Sequence, residues 1–560
     1  MPESGQDSYS RRLERYHERT RGRGVNRLLY WSVRALITPA IVVYFRFRRR
    51  GRRHIPKGAV ILASNHRSFL DPFLVGLCAR GPVYFMAKKE LFRNPLQGWL
   101  LNRLGAFPVR RGESDAEAVR TALGLLERGR AIVIFPEGTR IRSGSLARPK
   151  SGVGRFALAS GAPVVPIAVV GTERARRGWR IRPVKVKARC GPPLRYPRVA
   201  EPSHHLAREV TARIWPCVEL QWEWLGGLPP VRTAVVVGAG SMGTAMAVLL
   251  ARAGLQVKLA CRTFAQAERL AAERENPSYL PGVRLESGIE VCTVADIEPA
   301  AADLLVLAVP CASLPEVVGS VGAQVGPRAA VLVTSKGLVP PLGSPPGTYV
   351  AERVRARGVA WLGGPAHAHE TVREGASVVL ATPNADLSRQ LREALEAAGL
   401  HVQTTDDLMG AELAACAKNA AALAAAAAAT RSANLAGAAA GRVFSEVHEL
   451  AMDSGGRAET FAGLAGTGDL IATTLSERSR NRRAGELVGR GLQASEVRAV
   501  VEQTAEALAT VPLLDESLSR AGVRAPVMSG LRQVLEGRRS ADSWLELVRP
   551  ADEDPTRHAA

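Results

Sequence analysis

The sequence predicts a multidomain fold of α/β plus all-α class: two α/β domains, the second a doubly wound parallel sheet, followed by an all-helical domain. Three observations predict it. The chain has 560 residues, too many for one hydrophobic core and enough for two to four domains. Apolar strand-like runs at 59–63, 131–135 and 163–170 alternate with helical stretches, and a second alternation runs from 231 to about 400. From 408 the pattern is helical only. "AELAACAKNAAALAAAAAA" is built from the strongest helix former, and its small residues on every side predict close helix packing.

The N-terminal 54 residues carry two Arg-rich runs, "RRLERYHERTRGRG" at 11–24 and "RFRRRGRR" at 46–53. Between them lies "LLYWSVRALITPAIVVYF", residues 28–45, apolar apart from Arg34 and holding Pro39. A bilayer span needs about 20 apolar residues, so this is marginal, and no small-residue cleavage site follows closely. The expectation is a basic, amphipathic segment, 1–54, lying on an anionic membrane surface. The competing expectation is a buried first helix with a basic tail. The net charge of +23 favours an anionic partner. No nucleic-acid reader motif accompanies it, so nucleic acid is not expected. Seven Cys without a CxxC pair or Cys/His cluster predict neither a metal site nor a disulfide framework, and suit reducing cytosol.

Gly226, Gly227, Pro229 and Pro230 mark a boundary. The expected division is therefore 55–215 for the first α/β domain and 216–231 for a linker. The second α/β domain follows at 232–405, the helical domain at 406–550 and a polar tail at 551–560.

In "GAVILASNHRSFLD" a strand leaves the core and enters a polar loop carrying His66 and Asp71. An imidazole can take the proton of a substrate hydroxyl, and a carboxylate on its other ring nitrogen fixes the tautomer. Acyl transfer to such a hydroxyl needs no enzyme nucleophile. The two side chains meet only if the backbone turns, because a straight strand would point them to opposite faces. "GAFPVRR" at 105–111 supplies Arg110, and "IVIFPEGTR" at 132–140 places Glu137, Gly138, Thr139 and Arg140 just past a strand. Two arginines can form a charged fork for a phosphate, and Gly138 permits close backbone approach.

With "VVPIAVVG" at 164–171, these ordered motifs resemble the glycerolipid acyltransferase family over roughly 55–200. The resemblance implies His66 as general base and Asp71 as its orienting partner. It implies that Arg110, Glu137, Gly138, Thr139 and Arg140 handle a glycerol-phosphate acceptor. It also implies acyl-CoA or acyl carrier protein as donor, and work at the cytoplasmic face of the membrane.

"VRTAVVVGAGSMGTAMA" at 231–247 places Gly238, Gly240 and Gly243 in GxGxxG spacing, after an apolar strand and at the start of an Ala-rich helix. That context suits a dinucleotide: a tight turn, close approach to the pyrophosphate and a helix N-terminus facing it. Ala239, Ser241 and Met242 complete the loop. The next strand, "QVKLACR", ends at Arg262 where an acid would favour NAD, so the lean is towards NADP over NAD. "ADLLVLAVP" at 302–310 and "AVLVTSKG" at 330–337 are further strands, the latter delivering Lys336. "CAKNA", "GLAGTGDL" and "SERSRNRR" add Lys418 and Asn419, Asp469, and Arg480 and Asn481. A lysine can polarise a carbonyl and supply a proton as hydride arrives, and a carboxylate can hold it.

With "NPSYLPG" at 276–282, "GGPAHAHE" at 363–370 and "SRNRRAG" at 479–485, this order resembles NAD(P)-dependent glycerol-3-phosphate dehydrogenase over about 232–550. The resemblance implies a Rossmann domain and a helical domain, often paired as a homodimer. It implies Lys418 as acid/base, Asp469 as its partner, and Lys336 and Asn419 at the active site. Arg480 and Asn481 then contact substrate phosphate or cofactor, and Glu502 stands near the cofactor. Departures are Ala366 and His367 after the GP pair, Ala414 and Ala415 near Lys418, and Gln503 after Glu502. The expected whole is a bifunctional enzyme that reduces dihydroxyacetone phosphate and acylates glycerol-3-phosphate or its 1-acyl derivative. The alternative is an acyltransferase fused to a catalytically weak nucleotide-binding regulatory module.

Overall fold

The computed structural model describes residues 3–110, 115–141, 146–177, 180–477, 479–501 and 505–549. The polar tail expected at 551–560 lies outside them. The chain divides into two compact units, Met1–Pro230 and Val231–Ala560.

The first unit is built on a seven-stranded sheet. Its order is Arg48–Arg50, Lys187–Cys190, Val164–Val170, Val60–Ser64, Ala131–Ile134, Val83–Lys88 and Ala106–Val109. The last five strands run parallel, and Lys187–Cys190 pairs antiparallel with Val164–Val170. Strand Val60–Ser64 is buried throughout, as a central strand covered on both faces must be. Its side chains alternate between two cores: Ile61 and Ala63 join one, and Val60 and Leu62 the other.

Two findings differ from the sequence reading. Residues 216–224 are not linker. They continue the helix His204–Trp224, whose Ile214, Trp215, Val218 and Trp222 pack onto the Ile61, Ile132 and Val164 core. The apolar stripe carries the helix past Pro216, and the chain leaves it only at Leu225, where Gly227 N–H bonds back to Trp222 O at 2.9 Å. Nor are residues 1–54 one kind of segment. Helix Glu3–Gly22 docks onto helix Ala116–Glu127. There His17 Nδ1 lies 2.9 Å from Thr121 Oγ1, and Arg21 reaches Glu117 at 2.7 Å. Helix Arg27–Tyr44, capped by Asn26, turns Tyr30 and Ile41 inward. It leaves Leu28, Leu36 and Val43 outward at 82%, 79% and 76% exposure.

The second unit holds an eight-stranded sheet in the order Ile289–Thr293, Gln256–Cys261, Thr233–Val237, Leu304–Leu307, Ala330–Val333, Gly358–Gly363, Ser377–Ala381 and His401–Thr405. All neighbours are parallel except Gly358–Gly363 with Ser377–Ala381. Alternate residues enter opposite cores, Val235 and Leu305 on one face and Val236 and Val306 on the other.

The helical half does not have a core of its own. Helix Leu408–Ala429 lies in the same cluster as Val235, Val331 and Trp361, so sheet and helices bury one another. Its alanines allow close approach by helix Arg480–Gly489. A Cβ on Gly485 would stand 2.3 Å from Leu423 O, and one on Gly489 2.4 Å from Ala427 O.

Candidate active sites

His66 follows strand Val60–Ser64, and Asp71 opens the helix Asp71–Cys78. The tight turn between them brings the pair together: His66 Nδ1 is 2.9 Å from Asp71 Oδ2. The same oxygen accepts the backbone N–H groups of Arg67 and Ser68, each at 2.6 Å. Asp71 is fully buried, and this convergence of donors holds its charge in place. An ionised carboxylate only accepts, so beside Asp71 the imidazole carries its proton on Nδ1, which leaves Nε2 as the basic nitrogen. Phe135 stacks on the imidazole with ring centroids 4.1 Å apart, which fixes its plane.

Because the strands preceding His66, Arg110 and Glu137 are parallel, all three residues follow C-terminal strand ends at one edge of the sheet, where open α/β sheets bind ligands. Glu137, expected to handle the acceptor, faces inward in the structure. It is buried, and its two oxygens accept the backbone N–H of His66 at 2.5 Å and of Ala147 at 3.1 Å. Burial pushes its carboxyl up to about 7, against the pull of those two N–H donors. Glu137 therefore braces the His66 backbone. Arg110, Thr139 and Arg140 are exposed at this edge, and Gly138 takes φ +72° with Lys150 lying over it. Lys150, Phe135 and Trp222 were missed. Trp222 stands 4.6 Å from the Arg67 guanidinium, a pairing across more than 150 residues that no local motif announces.

In the second unit the turn after strand Thr233–Val237 opens a groove of about 890 Å³. Gly238, Ala239, Gly240, Ser241 and Met242 form its floor, with Arg262 and Phe264 towards one side and Thr334, Arg480 and Glu506 among its walls. Gly238 takes φ +107°, and a Cβ there would lie 2.5 Å from Ala308 O. A Cβ on Gly240 would meet nothing within 4 Å, so its backbone faces open groove, as close approach of a pyrophosphate requires. These residues fit a dinucleotide. Gly243 is not in the groove: a Cβ there would fall 1.8 Å from Gly238 O, so its part is to let the helix start pack on the turn.

Beside the groove is a smaller cavity of about 200 Å³, lined by Lys336, His367, Lys418, Asn419, Asp469, Thr473, Arg480, Asn481 and Glu506, among others. A π-helical turn, Leu464–Gly468, delivers Asp469 into it. Asp469 lies 2.7 Å from Lys336 Nζ and 3.3 Å from Lys418 Nζ. Lys418 Nζ also donates to Thr473 Oγ1 at 3.2 Å. Burial pulls the Lys418 ammonium below its ordinary value, while Asp469 pulls it back up. Burial opposes the Asp469 charge, yet the two lysines hold its carboxyl below the usual range. Asn481 Nδ2 donates to Asn419 Oδ1 at 2.8 Å.

Lys336 was expected at both substrate and cofactor; it lines the cavity and not the groove. Glu502 and Gln503 lie outside the described residues. Glu506, which sequence reasoning did not single out, lines both spaces. Burial pushes its carboxyl up, with Lys418, Arg480 and Lys336 pulling the other way. Ala414 and Ala415 are fully buried in the common core, so their methyl groups are accommodated.

These two sites set the class: a pyridine-dinucleotide oxidoreductase unit joined to an acyl-transfer unit. Comparison with known proteins agrees on both sides. Residues 46–170 match the Acyltransferase family. Residues 233–388 and 407–546 match the N- and C-terminal parts of NAD-dependent glycerol-3-phosphate dehydrogenase. The chain is 35% identical over 320 residues to glycerol-3-phosphate dehydrogenase [NAD(P)+] of Chlorobium limicola, spanning 56% of this chain and 96% of that protein. It is 37% identical over 308 residues to the Deinococcus radiodurans protein of that name, spanning 54% and 90%. The glycerol-3-phosphate dehydrogenase structure from Coxiella burnetii superposes with a TM-score of 0.54 at 27% identity, covering 57% of this chain and 99% of that one. The chain belongs to the NAD(P)-dependent glycerol-3-phosphate dehydrogenase family, with an acyltransferase domain fused in front.

Proposed function

We propose that the chain is a bifunctional enzyme of glycerophospholipid synthesis. Its second unit reduces dihydroxyacetone phosphate to sn-glycerol-3-phosphate, and its first unit acylates glycerol-3-phosphate or the 1-acyl derivative. The observation that carries this reading is the Lys336–Asp469–Lys418 cluster beside a dinucleotide groove, on the same chain as the His66–Asp71 pair.

In the first unit, His66 Nε2 takes the acceptor hydroxyl proton as that oxygen bonds to the acyl carbon. The thioester C–S bond breaks, and the imidazolium returns the proton to the departing thiolate. Asp71 steadies the charge that His66 carries between the two transfers. The exposed guanidinium groups of Arg110 and Arg140 receive the acceptor phosphate. In the second unit, the bound reduced cofactor supplies the hydride. Lys418 gives its proton to the carbonyl oxygen, Asp469 holds the ammonium, and Arg480 with Asn481 receives the substrate phosphate. Arg262 favours NADP(H) by pairing with the 2′-phosphate.

The donor is an acyl-CoA or an acyl carrier protein, each anionic and suited to a chain of net charge +23. No helix among the described residues is long and apolar enough to cross a membrane. The outward row of Leu28, Trp31, Leu36 and Val43, flanked by the arginines at 46–53, supports peripheral docking on an anionic leaflet. The dehydrogenase half pairs with a second copy, as its family resemblance implies; sedimentation equilibrium of the full chain tests this.

The deciding experiment uses two variants of the full chain. His66→Ala abolishes transfer from labelled acyl-CoA to both phosphorylated acceptors and leaves NADPH oxidation intact; Lys418→Ala does the reverse. Normal acyl transfer by the first, or normal reduction by the second, removes that residue from its role. Comparing the two acceptors in the wild type decides which acylation step the enzyme performs.

A further inference from the structure

Another cavity lies in the second unit, and the chemistry above leaves it unused. Its volume is about 690 Å³, and it shares no lining residue with the nucleotide groove or the substrate cavity. Small-molecule pockets span about 300–1,000 Å³, so it is large enough to hold a ligand. Four arginines line it, Arg252, Arg274, Arg284 and Arg373, with Glu286 as the one acid.

The arginines arrive from four elements. Arg252 ends the helix Ser241–Arg252, Arg274 follows the helix Phe264–Glu273, Arg284 ends the strand Leu280–Arg284, and Arg373 stands in the last turn of Ala368–Glu374. A helix C-terminus attracts a cation, which accounts for three of them singly. It accounts neither for Arg284 nor for all four meeting at one opening.

Two of them are fixed as walls. Arg252 Nε donates to Glu286 Oε1 at 2.9 Å, and its Nη1 to Val372 O at 3.0 Å. Arg274 Nη1 donates to Ile289 O at 2.9 Å, and its Nη2 to Glu286 O. Arg274 holds φ +52°, a left-handed backbone at a place where helices commonly end on glycine. Glycine would relieve that strain but would leave the 286–289 wall untied. The other two arginines are not fixed. Arg284 and Arg373 are exposed, and their guanidinium groups have no hydrogen bond or ion pair among the described residues. Glu286 answers one guanidinium, and the remaining three gather positive charge around an open space, which a bound anion relieves. Val283, Leu285 and Val372, all buried, add an apolar part to the lining.

We propose that this cavity is a second anion site, in which Arg284 and Arg373 close as paired forks on a diphosphate group. The group arrives as free pyrophosphate or on a nucleoside diphosphate, whose base then rests on the apolar lining.

The test is calorimetric titration of the full chain with pyrophosphate. NADP⁺ and glycerol-3-phosphate are present at saturation, so that the phosphate sites of the groove and the substrate cavity are already filled. Wild type takes up one equivalent of pyrophosphate, and binds inorganic phosphate at least about tenfold more weakly. Arg284→Ala and Arg373→Ala each bind pyrophosphate about ten- to a hundredfold more weakly, the range for hydrogen bonds to a charged group. Both changes remove exposed side chains, so the melting temperature and the rate of NADPH oxidation without pyrophosphate stay at wild type. ADP separates the two sources: tighter binding than pyrophosphate assigns a nucleotide, and equal or weaker binding assigns the free diphosphate. A wild type that takes up no pyrophosphate overturns the proposal. So does wild-type affinity in both variants, which puts the anion on other arginines of the chain, and so does equal affinity for phosphate and pyrophosphate. Where an alanine variant also melts lower, the corresponding Arg→Lys variant decides, since it keeps the stem and the charge but not the fork. Undiminished pyrophosphate binding in it overturns the proposal.

Discussion

Replacing Asp469 by Asn removes the charge that keeps Lys418 protonated inside the cavity. At an effective dielectric constant of about 20, a carboxylate attracts an ammonium 3.3 Å away by about 5 kcal/mol, and one 2.7 Å away by about 6 kcal/mol. Those attractions offset the cost of burying Lys418 and most of Lys336. Asn is isosteric but supplies neither. An uncompensated buried charge costs about 3–5 kcal/mol, and Lys418, whose ammonium burial already disfavours, escapes that cost by losing its proton. A neutral amine cannot donate to the carbonyl oxygen. In Asp469→Asn, kcat for dihydroxyacetone phosphate reduction therefore falls by about 10²–10⁴, the usual worth of a positioned acid. The remaining activity moves to lower pH, where Lys418 regains its proton. The assay is NADPH oxidation followed by absorbance from pH 6 to 9, with acyl transfer as an internal control that stays at the wild-type rate. A variant with kcat near wild type and an unshifted pH profile would refute the claim that Asp469 holds the Lys418 proton.

Arg262→Ala raises KM for NADPH by about tenfold or more and leaves KM for NADH within about twofold, because the lost pairing involves only the 2′-phosphate; steady-state kinetics with both cofactors checks it. Glu412 is fully buried in the common core, accepting the N–H of Gly347, and burial pushes its carboxyl up to about 8 from an ordinary 4.5. Between those values the native chain holds a proton that the unfolded chain has released. Stability therefore falls as pH rises through that window, by on the order of 5 kcal/mol from this group. Glu412→Gln removes that share: its melting temperature, measured from pH 5 to 8.5, declines less than that of wild type. Trp222→Ala removes the ring over Arg67, whose backbone N–H is bonded to Asp71. It lowers kcat for acyl transfer more than it raises acceptor KM, while Trp222→Phe restores most of the rate.

Much of the architecture was legible because each chemical motif sits where a strand ends. "NHRSFLD", "FPEGTR" and "GAGSMG" each follow an apolar run, and a parallel sheet gathers strand ends on one edge. The meeting of His66 and Asp71 was legible only as a condition, since five extended residues span about 16 Å and the pair meets only where the chain turns. The direction of Glu137 was not legible: the motif shows a carboxylate in a loop, not which way it faces, and the fold turns it inward onto the His66 N–H. The 216–224 segment was misread because Pro216 and the following glycines mask an apolar stripe that only the Ile61–Ile132–Val164 core gives a purpose.

By itself, the sequence determined two α/β sheets, the glycine turn, and the chemical identity of the acids and bases, because strand periodicity, backbone freedom and side-chain type are local properties. Only the tertiary structure decided that Asp469 bridges Lys336 and Lys418, that Trp222 covers Arg67, and that Glu506 stands at the seam of two pockets. Those contacts join residues 51 to 155 positions apart, and their geometry is set by how helices and sheet bury one another, which no short window of sequence encodes.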